Sequence, residues 1–406
     1  MSEAVLAGAR EGRDGAREFG RELASAGDLL QLLRTGRATT RSDLRRLTGL
    51  SRTAIVNRVS ALSDAGLVLL GAELASTGGR PPGSLVFNHT AGVVLAVAIG
   101  RSRSQVAVFD LAGTELAASA VDQEIGAGPD EVMPVVAEQL AGLLGPDSPP
   151  VLGIAVSLPG VVDPERGASV DTPVLPGWND VPLAPYLTEV ADAPLFLAND
   201  ADAMARSEYL GHAQADGGMR NLLVLKASTG IGLGVLADRA IVAGSRGGAG
   251  DLGHTKVPDA VGRPCRCGDT GCLETVAAGW ALVARLQAEG RAVSHVRDLV
   301  AHARGGDAEA KQLLRESGRQ VGELLAVAIN LLNPQAVVLG GDMSEVYDVY
   351  AAGIRESVYA RSSAFATREL QFLPATYGDR AGLVGCAALA IKRVLSPAAV
   401  DARLVG

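Results

Sequence analysis

Three cysteines stand within eight residues, in Cys265-Arg-Cys267-Gly-Asp-Thr-Gly-Cys272-Leu-Glu274. Thiols this close strain any disulfide but can clasp one tetrahedral divalent ion, and Gly268 and Gly271 let the chain turn around it. A fourth ligand is needed. His254, in Gly253-His254-Thr255 just upstream, is the only histidine nearby; the others are His89, His212, His295 and His302. Three thiolates and an imidazole leave no open coordination position. The spacing therefore predicts one structural zinc per chain, held by His254, Cys265, Cys267 and Cys272. The fourth cysteine, Cys386, lies in an apolar run over 382–389 and reads as a buried helix residue without a function.

A second chemistry is suggested near the front. In residues 51–64, Ile55, Val59 and Leu62 recur at i, i+4 and i+7 and share one helix face. Arg52, Thr53, Val56 and Asn57 are left on the other. Arg can address guanine, Asn adenine, and Thr or Val a thymine methyl, so this face can read base edges in a major groove.

The elements that must position it follow from local signals. Leu29, Leu30, Leu32 and Leu33 precede a Thr35-Gly36 stop; Thr40 with Asp43 resembles a capping box; Gly49-Leu50 turns the chain and Ser51 caps the third helix. Two short strands, 66–70 and 84–87, flank Ser76-Thr77-Gly78-Gly79-Arg80-Pro81-Pro82. Three helices and a hairpin predict a winged helix-turn-helix over 27–86, with Arg80 suited to a narrow, negative minor groove. Residues 27–80 carry eight Arg against Asp28, Asp43, Asp64 and Glu73, whereas the whole chain has a net charge of −8. A basic segment on an acidic body fits one module that meets double-stranded DNA and another that does not.

From about residue 90 the pattern becomes α/β. Strands are predicted at 93–100, 105–110, 151–157, 194–198, 221–226 and 232–236, with helices at 129–144 and 200–211. With 406 residues, 48% hydrophobic, the chain is long enough for several folded units and too apolar for wholesale disorder. No fixed-period repeat is evident. The first 26 residues, read as a flexible arm, are too charged for a secretory signal, and no uncharged apolar run reaches membrane-spanning length; a cytoplasmic protein without membrane contact is expected.

The body resembles the ROK family of repressors, open reading frames and sugar kinases. The likeness is carried by Gly-Gly-Ala-Gly-Asp251-Leu-Gly253-His254 with the cysteine loop, by Leu158-Pro159-Gly160-Val161-Val162-Asp163, and by Asn199-Asp200-Ala-Asp202. Ser228-Thr229-Gly230-Ile231-Gly232 and Asn333-Pro334-Gln-Ala-Val-Val-Leu-Gly340-Gly341 add to it. The winged front with Gly-Gly-Arg-Pro-Pro is similar to that of the family's transcription factors. The resemblance implies an actin/hexokinase-like, two-lobed α/β domain over 90–406 with the ligand between the lobes. Asn199, Asp200, Asp251, His254 and Glu274 match its sugar contacts, groups that can hold vicinal hydroxyls. Asp251 departs from the family's usual Glu. Trp178 is compatible with either a core position or a sugar-stacking one.

Phosphoryl transfer needs more: a base, which Asp200 could supply, phosphate loops, and a carboxylate near Mg²⁺. The kinases carry Asp-x-Gly-Gly-Thr early in the body. Here Ala98 replaces the carboxylate and Arg101-Ser102 replaces Gly-Thr, while Asp342 follows Gly340-Gly341 where a third Gly is usual. No catalytic residue and no ATP/Mg site are therefore expected. The reading is a sugar- or sugar-phosphate-responsive repressor, a homodimer or homotetramer on a pseudo-palindromic operator. The alternative is an ATP-dependent sugar kinase with a DNA-binding appendage, in which Asp200 would be catalytic.

Overall fold

The computed structural model describes residues 24–73, 83–124, 126–171, 175–212 and 218–405. They form two units. One joins the chain up to Asn88 with the segment from Leu395 onward; the other is His89–Val394.

The first unit contains α1 (Ala26–Arg34), α2 (Arg41–Thr48) and α3 (Arg52–Asp64), then an antiparallel hairpin of β1 (Val68–Glu73) and β2 (Gly83–Phe87). The local signals act as expected. Ser25 with Asp28, and Thr40 with Asp43, form reciprocal capping boxes. Gly49 ends α2 in the left-handed region (φ 70°), which a residue with a Cβ enters at a cost. Leu29, Leu30, Leu44, Ile55, Val59, Leu62 and Leu67 are buried together as the core. The first helix begins at Ala26 and its cap at Ser25, slightly ahead of the expected start at 27.

The chain's last helix, Pro397–Val405, packs on α1. The body was expected to run to residue 406; instead the chain from Leu395 onward belongs with the first unit. Gly27 at the second position of α1 donates its N–H to Asp401 Oδ1 (2.8 Å), so a carboxylate from the far end of the chain caps an otherwise orphan donor. A Cβ on Gly27 would lie 2.3 Å from the Pro397 carbonyl oxygen, so only glycine admits this approach.

In the second unit the chain runs β3 (Val93–Ile99), β4 (Arg103–Asp110), β5 (Glu115–Asp122), α4 (Pro129–Leu143), β6 (Val151–Leu158), a small sheet of β7 (Val161–Asp163), β8 (Ala168–Asp171) and β9 (Val181–Pro182), α5 (Ala184–Leu187), β10 (Leu195–Asn199) and α6 (Asp200–His212). It continues through β11 (Leu222–Ala227), β12 (Ile231–Ala237), β13 (Ala240–Ile241), α7 (Glu274–Ala277), α8 (Gly279–Ala288), α9 (Val296–Arg304), α10 (Ala308–Leu332), β14 (Ala336–Gly340), α11 (Tyr347–Arg361), α12 (Ala364–Thr367), β15 (Gln371–Pro374) and α13 (Ala381–Val394); Pro397–Val405 is then α14.

Two five-stranded sheets repeat one topology. Their orders are β10-β6-β3-β4-β5 and β13-β12-β11-β14-β15. In each, an antiparallel meander comes first, and two parallel strands are added on the far side of its first strand. The central strand of each sheet is almost wholly buried. That is why Val93–Ile99 and residues 222–225 read as continuous apolar runs and not as alternating ones. Strand β5 was not expected: its residues ELAASAVD are weakly apolar because it is an edge strand. Among the described residues no single helix is long and apolar enough to cross a membrane.

Candidate functional site

A cleft of about 970 Å³ opens in the second unit. It is lined by residues at the carboxyl ends of β3, β6, β10, β11 and β14, where the strands of each sheet diverge and open α/β sheets bind ligands. Asn199, Asp200, Asp251, His254 and Glu274 all line it, so the fold brings the five expected sugar contacts together from segments up to 75 residues apart.

Their circumstances differ. The Asn199 amide is engaged with backbone: Nδ2 donates to Gly160 O (2.8 Å) and Oδ1 accepts from Ala201 N (2.8 Å). It starts α6 and ties the 158–163 loop to it, so here it positions its neighbours more than it offers itself. Asp200 is ion-paired with Lys226 at the end of β11. This partner was not anticipated, because it comes from the other sheet. Glu274 is buried, with Oε1 accepting from Ile231 N (2.7 Å) and Oε2 from Trp280 Nε1 (3.2 Å). Burial pushes its carboxyl above the ordinary range, against the Ile231 N–H, the His254 charge and the Trp280 N–H, and exposed Asp251 adds to the rise. A carboxyl held like this meets a hydroxyl without reorganising.

Trp178 has no exposed surface and donates Nε1–H to Ala127 O (3.0 Å); it belongs to the core and not to a stacking platform. Cys386 is buried in α13, as expected.

Asp202, one turn into α6, is buried, and desolvation raises its pKa to about 6 despite Arg206. Its folded-state proton is held more tightly than the unfolded one, so this group makes stability fall as pH rises from about 4 to about 6 and leaves it lower above. Replacement Asp202→Asn is expected to remove that slope. The wild type should lose about 3 kcal/mol more than the variant across the window, measured as urea unfolding midpoints at a series of pH values. Parallel pH profiles for the two proteins would contradict it.

Beside the cleft, one nitrogen of His254 and the three thiols of Cys265, Cys267 and Cys272 lie within 4.8 Å of one another. A tetrahedral ion with Zn–S bonds of 2.3 Å sets its sulfurs about 3.8 Å apart, and its sulfur and nitrogen slightly closer. Cys267 Sγ and Cys272 Sγ are 3.7 Å apart, and Cys265 Sγ is 3.7 Å from His254 Nδ1. The four residues thus form a donor set of the right kind and size for one tetrahedral metal ion. Burial, together with the neighbouring thiols, pushes Cys265 up to about 12, a state that a bound cation would reverse. Between the ligands, the Arg266 guanidinium stacks 4.4 Å over Trp280, which in turn bonds Glu274. The loop therefore reaches the cleft along two routes, His254 and Arg266–Trp280. Neither Trp280 nor Arg266 was singled out by spacing, because they meet only in three dimensions.

In the winged unit Arg52, Thr53, Val56 and Asn57 are all exposed on α3, opposite buried Ile55, Val59 and Leu62. Arg80 and the whole connection between β1 and β2 lie outside the described residues.

The model of the ROK family matches residues 94–393, and the chain belongs to that family. Over 359 residues it is 29% identical to the xylose repressor of Bacillus spizizenii, covering 88% of this chain and 92% of that protein. Among solved structures, a ROK family transcriptional regulator, a homologue of the Escherichia coli MLC protein, superposes with a TM-score of 0.77 at 26% identity, covering 94% of this chain and 98% of the other. A ROK glucokinase from Streptomyces griseus, in complex with glucose and AMPPNP, superposes with a TM-score of 0.63 at 28% identity, over 73% of this chain and 99% of that one. The likeness to the glucokinase takes in 73% of this chain and the likeness to the regulator 94%.

Proposed function

We propose that this protein is a cytoplasmic, sugar-responsive transcriptional repressor. In this reading the winged unit binds duplex DNA through Arg52, Thr53, Val56, Asn57 and Arg80. The cleft binds a small sugar through Asp200, Asp251, His254 and Glu274. One structural zinc on His254, Cys265, Cys267 and Cys272 steadies the cleft wall. A symmetric homodimer or homotetramer would set two recognition helices on a pseudo-palindrome. The sugar favours one DNA affinity over another only if it binds the two states of the protein unequally.

The observation that supports the reading is a cleft lined by hydroxyl-holding groups whose residues differ from the kinase motif where phosphoryl transfer needs them. Ala98 stands where a metal-side carboxylate is needed. Asp200, which the family resemblance would make the base, is ion-paired with Lys226. In the nucleotide loop the Asp342 carboxylate accepts a hydrogen bond from Ser228 of the phosphate loop, placing negative charge where an ATP phosphate would come. Together these remove the electrostatic stabilisation on which such transfer depends. Hydroxyl-holding groups survive, and the chain carries a helix whose free face is suited to base edges.

The test uses operator duplexes selected from a random pool. Arg52→Ala and Asn57→Ala are each expected to weaken specific binding by about 1–3 kcal/mol at fixed salt while leaving binding to random duplex nearly unchanged. A sugar from a screened panel should shift wild-type operator affinity. Band shifts indifferent to both substitutions would refute the docking face. Brisk sugar phosphorylation with Mg-ATP that Asp200→Asn abolishes would favour the kinase alternative.

A further inference from the structure

We propose that the ligand of this cleft carries one anionic group, phosphoryl or carboxylate, and that the Arg101 guanidinium receives it. The proposal rests on the effector reading above and deepens it.

Arg101 lies in the turn between β3 and β4, on the cleft wall. Its Nε is buried and has no hydrogen-bond partner, and among the described residues no carboxylate stands within 4.0 Å of it. Of the other cations on the cleft, Lys226 is paired with Asp200, Lys256 with Asp269, Arg304 with Glu345 and Arg103, at 4.0 Å, with Asp122, while Arg297 is bonded to His295. A guanidinium taken from water and left unpaired is costly, and burial pulls Arg101 below its ordinary pKa, with Glu274 opposing. Its planar fork matches two oxygens of a phosphoryl or carboxylate group.

A second donor stands next to it. His295 Nδ1 accepts from the Arg297 backbone N–H (3.1 Å) and from Arg297 Nε (3.2 Å). The network thus assigns the neutral ring's proton to Nε2, which donates to Ser102 Oγ at 3.2 Å. The Ser102 hydroxyl proton is then free for an incoming anion. Arg297 forms no ion pair among the described residues, its Nε being used on His295. The acidic groups facing this corner are already committed: Glu274 to Ile231 and Trp280, and Asp342 to Ser228. Arg101 lines the same cleft as Asp200, Asp251 and Glu274 and feels the Glu274 charge, so one ligand can offer hydroxyls to the carboxylates and an anionic substituent to Arg101.

The experiment is calorimetric and thermal-shift titration of the full chain with matched probes. These are glucose, glucose 6-phosphate and glucuronate; N-acetylglucosamine and its 6-phosphate; xylose and xylose 5-phosphate; and inorganic phosphate alone. The expected result is that an anionic member of at least one set binds about 10- to 100-fold more tightly than its neutral parent, the range of a hydrogen bond to a charged group. Inorganic phosphate should compete with it. Arg101→Met should erase the preference, leave the neutral sugar's affinity unchanged, and raise the ligand-free melting point because the unpaired cation is gone; Arg101→Lys should keep part of the preference. A neutral sugar that binds as well as its charged partners, or a preference that survives Arg101→Met, overturns the proposal and leaves the effector reading standing. Absence of binding by every probe, neutral and charged, overturns both.

Discussion

Cys267→Ser is expected to empty the metal site and silence the cleft. A serine hydroxyl does not ionise near neutral pH, so the four-ligand set loses an anionic donor that a buried divalent ion requires. Apart from the ligands, the loop is held by backbone bonds such as Cys265 N–H to Asp269 O (2.7 Å), Gly268 N–H to Cys265 O (3.1 Å) and Gly271 N–H to Arg263 O (2.9 Å), by bridges from Pro264 to Thr270 and from Lys256 to Cys272, and by the exposed Lys256–Asp269 ion pair. Once it loosens, His254 and Arg266 lose their fixed places, and with Arg266 goes the stacking that holds Trp280 against Glu274. Structural zinc sites in small domains contribute about 10–16 kcal/mol to folding. Here the surrounding sheet persists without the loop, so about 3–5 kcal/mol is expected, a fall of roughly 6–20 °C in the melting point of the body. Zinc per chain should drop from about one to near zero by atomic emission, and the melting shift produced by a cleft ligand should disappear. A variant free of zinc that still answers to the ligand at full strength would break the link drawn between loop and cleft.

The second large effect is expected at the opposite end of the chain. Ending the chain at Ser396 deletes α14 and should unfold the winged unit while sparing the body. The deletion removes buried Val400, the Asp401 carboxylate on the Gly27 N–H, and the packing of Pro397 against α1. Burial of one such side chain is worth about 1.5–3 kcal/mol and a charged hydrogen bond about 1.5–3 kcal/mol. A domain this small has a total stability near the low end of about 5–15 kcal/mol. The truncated chain should therefore lose operator binding and amide-exchange protection in α1–α3, yet retain its ligand-induced melting shift. Gly27→Ala is the milder form, forcing the two helices apart at a cost of about 1–3 kcal/mol. Unchanged DNA affinity after truncation would show that α14 is dispensable.

These two sites were unequally legible beforehand. The four candidate metal ligands lie within nineteen residues of one another, and their number and kind already suggest a closed tetrahedral set. The helix caps Ser25, Thr40 and Ser51 act over three residues, and so were readable. The hydroxyl-binding set was named through its resemblance to a family, and spacing alone would not have gathered Asn199 with Glu274. The relation of α1 to α14 spans 374 residues between Gly27 and Asp401. Nothing in either segment's own pattern announces it: Gly27 reads as a poor helix residue until Pro397 is seen against it.

The amino-acid order by itself determined the metal loop, the three front helices with their free face, and the apolar runs that became the central strands. Each depends on spacing within a few turns of chain, where covalent geometry and burial of one face leave little choice. The tertiary structure alone decided that Lys226 neutralises Asp200, that Arg101 stays unpaired on the cleft wall, that Trp178 is core, and that the last helix completes the first domain. Those outcomes depend on which strand ends are brought side by side when two sheets of the same topology form, and pairing between distant segments leaves no periodic trace in either of them.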